Sequence, residues 1–260
     1  DRRLVYDWEI EIPPLTGGRK RKAYIYLPDG YDGVEDRYPV MYMFDGHNLF
    51  SDKEASYGKS WGLAEYLDGT RTRLIVAAAE CNHEGNCRLS EYSPLDFTMR
   101  GEKIRGRGKQ YMDWLVKTFK PYIDANYRTL PDREHTAIGG SSMGGLMTVY
   151  ALSAYNKYFS RGAALSPSLW ACGGSVPDFV QKTKYRKNTV LYMDYGSKEF
   201  SNHGIQQKCF AETCSALIEK NVHLTARVVT DGTHCEASWE RQIPFFMRVL
   251  GFGAGGRIKS

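Results

Sequence analysis

Six short, mostly apolar runs constrain this chain more than any other feature. Val40-Met41-Tyr42-Met43-Phe44 is the first; residues 74–79, Thr136-Ala137-Ile138, Ala163-Ala164-Leu165, residues 190–193 and residues 224–229 follow. A strand buried on one face alternates apolar with polar side chains. A run that does not alternate is read as buried on both faces, as in a mostly parallel sheet covered by helices. Helical spacing falls between the runs. Leu115, Phe119 and Ile123 precede the Thr136 run, Leu146, Val149 and Tyr150 follow it, and Phe210, Cys214, Leu217 and Ile218 mark another helix. Residues 239–250 read as one last helix, stopped by Gly251. Ahead of all this, residues 5–12 and 23–27 do alternate, around a Pro-Pro and Gly-Gly turn, and predict an antiparallel N-terminal hairpin. The expected class is α/β, one domain over residues 1–252 with helices on both faces of the sheet, and a flexible tail over residues 253–260. A chain of 260 residues readily buries one core of that kind.

Charge and composition narrow the function. The net charge is +5, but Lys and Arg are scattered, with dense runs only at residues 19–22 and 100–109. Nucleic-acid binding needs a clustered basic face, so no nucleic-acid partner is expected. No apolar stretch reaches the ~20 residues of a membrane span, so no membrane partner is expected. The six cysteines form no CxxC and no dense framework, which points to a reducing compartment and a cytoplasmic location. The opening residue, Asp1, leaves a processed leader open. Cys81, His83, Glu84 and Cys87 lie close together, but their spacing matches no standard zinc site. No metal or other cofactor is expected. Oligomeric state is open, with a homodimer as one expectation.

In a sheet of this kind ligands gather at the carboxyl ends of the strands. Ser142 stands there, in Gly140-Ser141-Ser142-Met143-Gly144, between the Thr136 run and a helix. GxSxG in that setting is a nucleophile elbow, the mark of the α/β-hydrolase fold. The pattern alone does not choose Ser142, because Gly58-Lys59-Ser60-Trp61-Gly62 carries it too; Ser60 follows a polar, strandless stretch and is expected to be a loop residue. A serine needs a base, and the fold places acid and then His after it. Of His203, His223 and His234, only His234 lies in the loop between the 224–229 run and the last helix, and it is the expected base. Glu199, the first carboxylate past the turn after Tyr195, is the expected acid; Asp194 and Asp231 are its competitors. The oxyanion donors are expected to be the amides of Met143 and His47, the latter in the Asp45-Gly46-His47-Asn48 turn.

Tyr42-Met43-Phe44-Asp45-Gly46, the Ser142 elbow, Tyr195-Gly196-Ser197-Lys198-Glu199 and Gly232-Thr233-His234 with Trp239 together resemble an esterase family of α/β-hydrolases. That family groups esterase D, the feruloyl and acetyl esterases of carbohydrate esterase family 1, enterochelin esterases and mycolyltransferases. The resemblance runs from the hairpin to the last helix. It implies a serine triad with Glu199 as acid, the oxyanion amide at His47, and a substrate pocket with Trp61, Trp170 and Asn48. Arg88, residues 91–94 and residues 166–170 resemble loops at the mouth. A Ser-Ser elbow replaces the His-Ser of esterase D, which weakens the case for a formylglutathione substrate. The expected activity is a serine carboxylesterase acting through an acyl-enzyme on a small-molecule or carbohydrate ester: short-acyl, aryl or acetylated sugar. An acyltransferase and a non-catalytic binding protein of the same fold are the alternatives.

Overall fold

The computed structural model describes residues 4–199 and 203–252. The expected tail at residues 253–260 lies outside them. Among the described residues an eight-stranded sheet runs in the order β1-β2-β4-β3-β7-β8-β9-β10. Its strands are β1 (Val5–Glu11), β2 (Lys20–Tyr26), β3 (Val40–Met43), β4 (Ile75–Ala79), β7 (Thr136–Ser141), β8 (Arg161–Leu165), β9 (Val190–Gly196) and β10 (His223–Val229). β1 pairs antiparallel with β2, and β2 antiparallel with β4; every other pairing is parallel. A separate two-stranded ribbon joins β5 (Phe97–Met99) to β6 (Glu102–Ile104). Its turn puts Arg100 and Gly101 at φ 51° and 81°, the two positive values a tight hairpin turn of this hand requires.

The strand pleat sends side chains into two cores. Val40 and Tyr42 of β3, Ile75, Ala77 and Ala79 of β4, and Leu191, Met193 and Tyr195 of β9 enter one of them. There they meet Trp114, Phe119, Leu146 and Val149 from helices. Met41, Met43, Val76, Ala78 and Tyr192, one residue out of phase, enter the other, against Leu63, Leu67, Ile243, Phe246 and Met247. Burial on both faces is what the unalternating runs predict for a sheet between two helical layers.

Three local readings need correction. The 224–229 run forms β10, but β10 is the sheet's last strand and is half exposed along its length, because only one neighbour and one face are covered. Its Thr225 and Arg227 were the polar signal. The helix expected over residues 239–250 is two, Glu236–Glu240 and Ile243–Leu250; Pro244 begins the second, where its missing N–H costs nothing. The hairpin turn holds a short helix, Pro13–Thr16, again started by proline. The helix around Leu115 runs from Gly108 to Asn126 through a π turn at Leu115–Phe119. Pro121, which has no N–H to offer the preceding turn, lies two residues past its end.

Candidate active site

The carboxyl ends of β3, β7, β9 and β10 gather the chemistry. Ser142 joins β7 to the Met143–Ala154 helix at φ 59° and ψ −123°. A non-glycine residue held there costs about 1–3 kcal/mol, and the surroundings must over-determine it. They do so by close approach. A Cβ on Gly144 would meet Phe44 Cβ at 3.0 Å, and one on Gly145 would meet Pro167 Cα at 2.9 Å. The Ser142 N–H donates to the Leu165 carbonyl at 2.9 Å, and its own carbonyl accepts from the Ser168 N–H at 3.0 Å. The hydroxyl is thus lifted above the sheet at the start of a 12-residue helix, whose dipole favours negative charge.

His234 Nε2 lies 2.9 Å from Ser142 Oγ, and Nδ1 lies 3.0 Å from Glu199 Oε2. A carboxylate oxygen accepts, so Nδ1 carries the proton and Nε2 presents its lone pair to the hydroxyl. The His234 loop is tied by the Thr233 N–H, which donates to Ser238 Oγ at 3.0 Å. The His234 ring meets Trp239 edge-on at 5.1 Å.

Glu199 follows β9 in a turn that packs on the β10 loop. A Cβ on Gly196 would lie 2.3 Å from the Gly232 carbonyl oxygen, so only glycine permits this approach. The Glu199 side chain is 1% exposed, against 34% for His234. Its second oxygen, Oε1, accepts from the Gly196 N–H at 2.7 Å and from the Ser166 hydroxyl. Ser166, at φ 45°, also accepts from Trp239 Nε1 at 3.0 Å. Ser166 therefore holds both Glu199 and the indole beside His234. The sequence showed it only as part of a mouth loop; its polar side chain among apolar neighbours just after β8 was the available signal.

The competing carboxylates lie elsewhere. Asp194 is buried in the scaffold, accepting from the Tyr192 hydroxyl at 2.6 Å and the Ser166 N–H at 3.2 Å. Burial, with a smaller push from the Glu199 charge, raises its carboxyl to about 6. Asp231 is exposed and pairs with Lys198 at 2.7 Å. Ser60 sits in a loop with its hydroxyl and N–H on Asp52 Oδ1, at 2.8 and 2.7 Å.

Past β3, Asp45 adopts φ 55° and a tight turn follows over Gly46–Asn48. A Cβ on Gly46 would meet Tyr24 Cδ2 at 2.8 Å. Arg88 grips the Asp45 carboxylate with two bonds of 2.8 and 2.7 Å, and the Asp45 N–H donates to Tyr92 Oη. Burial alone would raise the Asp45 carboxyl; the Arg88 charge and its bonds outweigh that and hold it below its usual value. Among the described residues, neither the Met143 amide nor the His47 amide donates a hydrogen bond. The pocket candidates are spread out. Trp61 is 2% exposed and packs under Trp239 at 6.1 Å, Trp170 is half-buried against Phe97, and Asn48 accepts from the Ser56 N–H at 2.9 Å.

A model of the family described as Putative esterase matches residues 16–246. The chain belongs to that family. The esterase is a carboxylic ester hydrolase on an α/β-hydrolase scaffold. It is 24% identical over 184 residues to "Uncharacterized protein YbbA" of Bacillus subtilis (strain 168), a match spanning 69% of each chain. It is 29% identical over 192 residues to an endo-1,4-beta-xylanase/feruloyl esterase of Xylanibacter ruminicola; the match takes in 70% of this chain and 23% of that relative. Among solved structures, an IroE-like serine hydrolase from Shewanella oneidensis superposes with a TM-score of 0.72 at 22% identity, over 90% of this esterase and 76% of that chain. That likeness is one of fold. No helix among the described residues is long and apolar enough to cross a membrane.

Proposed function

We propose that the esterase cleaves its substrate through a covalent acyl-enzyme, with Ser142 as nucleophile, His234 as general base and acid, and Glu199 as the group that orients His234. The observation that carries this reading is the unbroken hydrogen-bond chain from Ser142 Oγ through His234 to Glu199. Ser142 Oγ attacks the ester carbonyl carbon while its proton passes to His234 Nε2. The carbonyl electrons move to oxygen, and the amides of Met143 and His47 donate to it. Each such donor is worth about 10²–10³ in kcat where it has been removed in other hydrolases. Nε2–H then protonates the leaving alcohol as the C–O bond breaks. Water gives a proton to Nε2 and attacks the acyl carbon, and Ser142 leaves with that proton. Glu199 keeps Nδ1 protonated and balances the imidazolium without being protonated itself.

Short-acyl, aryl and acetylated-sugar esters are the proposed substrates. The aryl class draws support from the half-buried Trp170, from the Trp239 ring beside His234, and from the feruloyl esterase named among the relatives. Rapid mixing with p-nitrophenyl acetate tests the chemistry. We expect a burst of about one p-nitrophenol per chain, with none from Ser142→Ala. A burst of equal size from Ser142→Ala would refute the assignment.

A further inference from the structure

β3 and β4 are parallel neighbours, so the loops leaving their carboxyl ends meet. The first carries His47, and the second carries Cys81 and His83. One ring nitrogen of each histidine and Cys81 Sγ lie within 4.8 Å of one another. Sequence spacing could not show this group, because His47 lies far upstream of the cysteine loop. The residues it did show are placed differently: Glu84 pairs with Arg19, and Cys87 is exposed at the start of a helix.

We propose that His47, Cys81 and His83 form a binding site for one thiophilic divalent cation of the zinc class, with the fourth position left to water. Cys81 Sγ and His83 Nδ1 are 3.7 Å apart. A tetrahedral zinc with ordinary Zn–S and Zn–N bonds separates those two atoms by about 3.6 Å, so this edge of the site is already at ligand spacing. Both imidazoles are held from behind at Nε2. His83 Nε2 donates to Glu80 Oε2 at 3.1 Å, the carboxylate–histidine arrangement that orients metal-bound histidines. His47 Nε2 is 3.0 Å from Ser56 Oγ. That leaves the Nδ1 atoms as the inward donors. His47 is 4% exposed, and its Nδ1 is a buried ring nitrogen with no hydrogen-bond partner among the described residues. An orphaned buried polar atom demands a partner, and a cation supplies one. Two imidazoles and a thiolate are a donor set that zinc accepts, with three protein ligands and one open position. His83, whose side chain is 52% exposed, gives the ion its way in. As the Sγ–metal bond forms, the thiol proton leaves to solvent. The site shares His47 with the proposed oxyanion turn, so an ion bound here fixes the side chain of a residue whose amide is a proposed oxyanion donor, a link that rests on that proposed function.

The test uses tag-free full chain stripped with a chelator. Titration with Co²⁺ should develop a thiolate-to-cobalt charge-transfer band with one equivalent bound, and Zn²⁺ should bleach it. Cys81→Ser should abolish the band. His83→Ala and Glu80→Gln should weaken Zn²⁺ binding, measured by calorimetry, by at least about tenfold. Cys87→Ser should leave band and affinity unchanged. Absence of the band in the unmutated protein, or a Zn²⁺ affinity unaltered in Cys81→Ser, would overturn the proposal. The spectrum of the unmutated chain does not depend on any variant folding.

Discussion

Asp194 lies within β9 and Glu199 in the turn that follows it, and their surroundings differ. Glu199 has one oxygen on His234 and the other on two donors, whereas Asp194 faces Tyr192 and a backbone amide. Glu199→Gln should therefore lower kcat by about 10³–10⁴, as loss of the correct tautomer does in other triads. Asp194→Asn should stay within a few-fold, and steady-state hydrolysis of p-nitrophenyl acetate measures both; the reverse order would transfer the acid's role to Asp194. Asp194 should instead reveal itself in stability. Its carboxyl titrates at about 6 in the fold against 3.8 ordinarily, so the folded state binds its proton more tightly than the unfolded state. It then costs almost no ionisation energy below pH ~4, and a cost on the order of 3 kcal/mol builds as pH rises from there through 6 and stays constant above. Urea unfolding at pH 4 and pH 8 should show wild type losing ground to Asp194→Asn by that order across the interval. A difference constant with pH would contradict it.

At the scale of elements, a strap from the hairpin reaches the turn over Gly46–Asn48, where the proposed oxyanion amide of His47 lies. Arg21 of β2 makes two bonds of 2.8 and 2.7 Å to Glu91, and both side chains are almost wholly buried. Glu91 ends the short Cys87–Glu91 helix that also carries Arg88, the partner of Asp45. Removing one member of a buried pair strands the other charge and costs about 3–5 kcal/mol. Glu91→Ala should destabilise by that amount in urea unfolding, and the double variant Arg21→Met, Glu91→Leu should recover most of it. Equal losses in single and double variants would mean the pair acts through shape alone. The elements around this strap also mark where sequence reading stops. The placement of Ser142 and His234 in the fold was legible because each follows a short, mostly apolar run and precedes a helix. β5 and β6 were not, since three-residue strands carry too little pattern. The break before Ile243 was signalled by Pro244 but masked by the apolar residues on either side.

Across the whole molecule, topology brings together residues that no local pattern relates. Ser142, Glu199 and His234 come from the ends of three strands, and their order along the chain, with their places just past strand ends, hinted at their meeting. Trp61, a pocket residue as the family resemblance implies, is 2% exposed and packs against Trp239, because burial is decided by layers far apart in the chain. The His47, Cys81 and His83 group was invisible for the same reason, being formed by two neighbouring strand ends. Two GxSxG segments make the central claim sharply testable in the intact protein. A fluorophosphonate probe, followed by intact-mass measurement, should add one label to wild type and to Ser60→Ala, and none to Ser142→Ala. Labelling that survives Ser142→Ala, or is lost in Ser60→Ala while the fold is retained, would contradict the account.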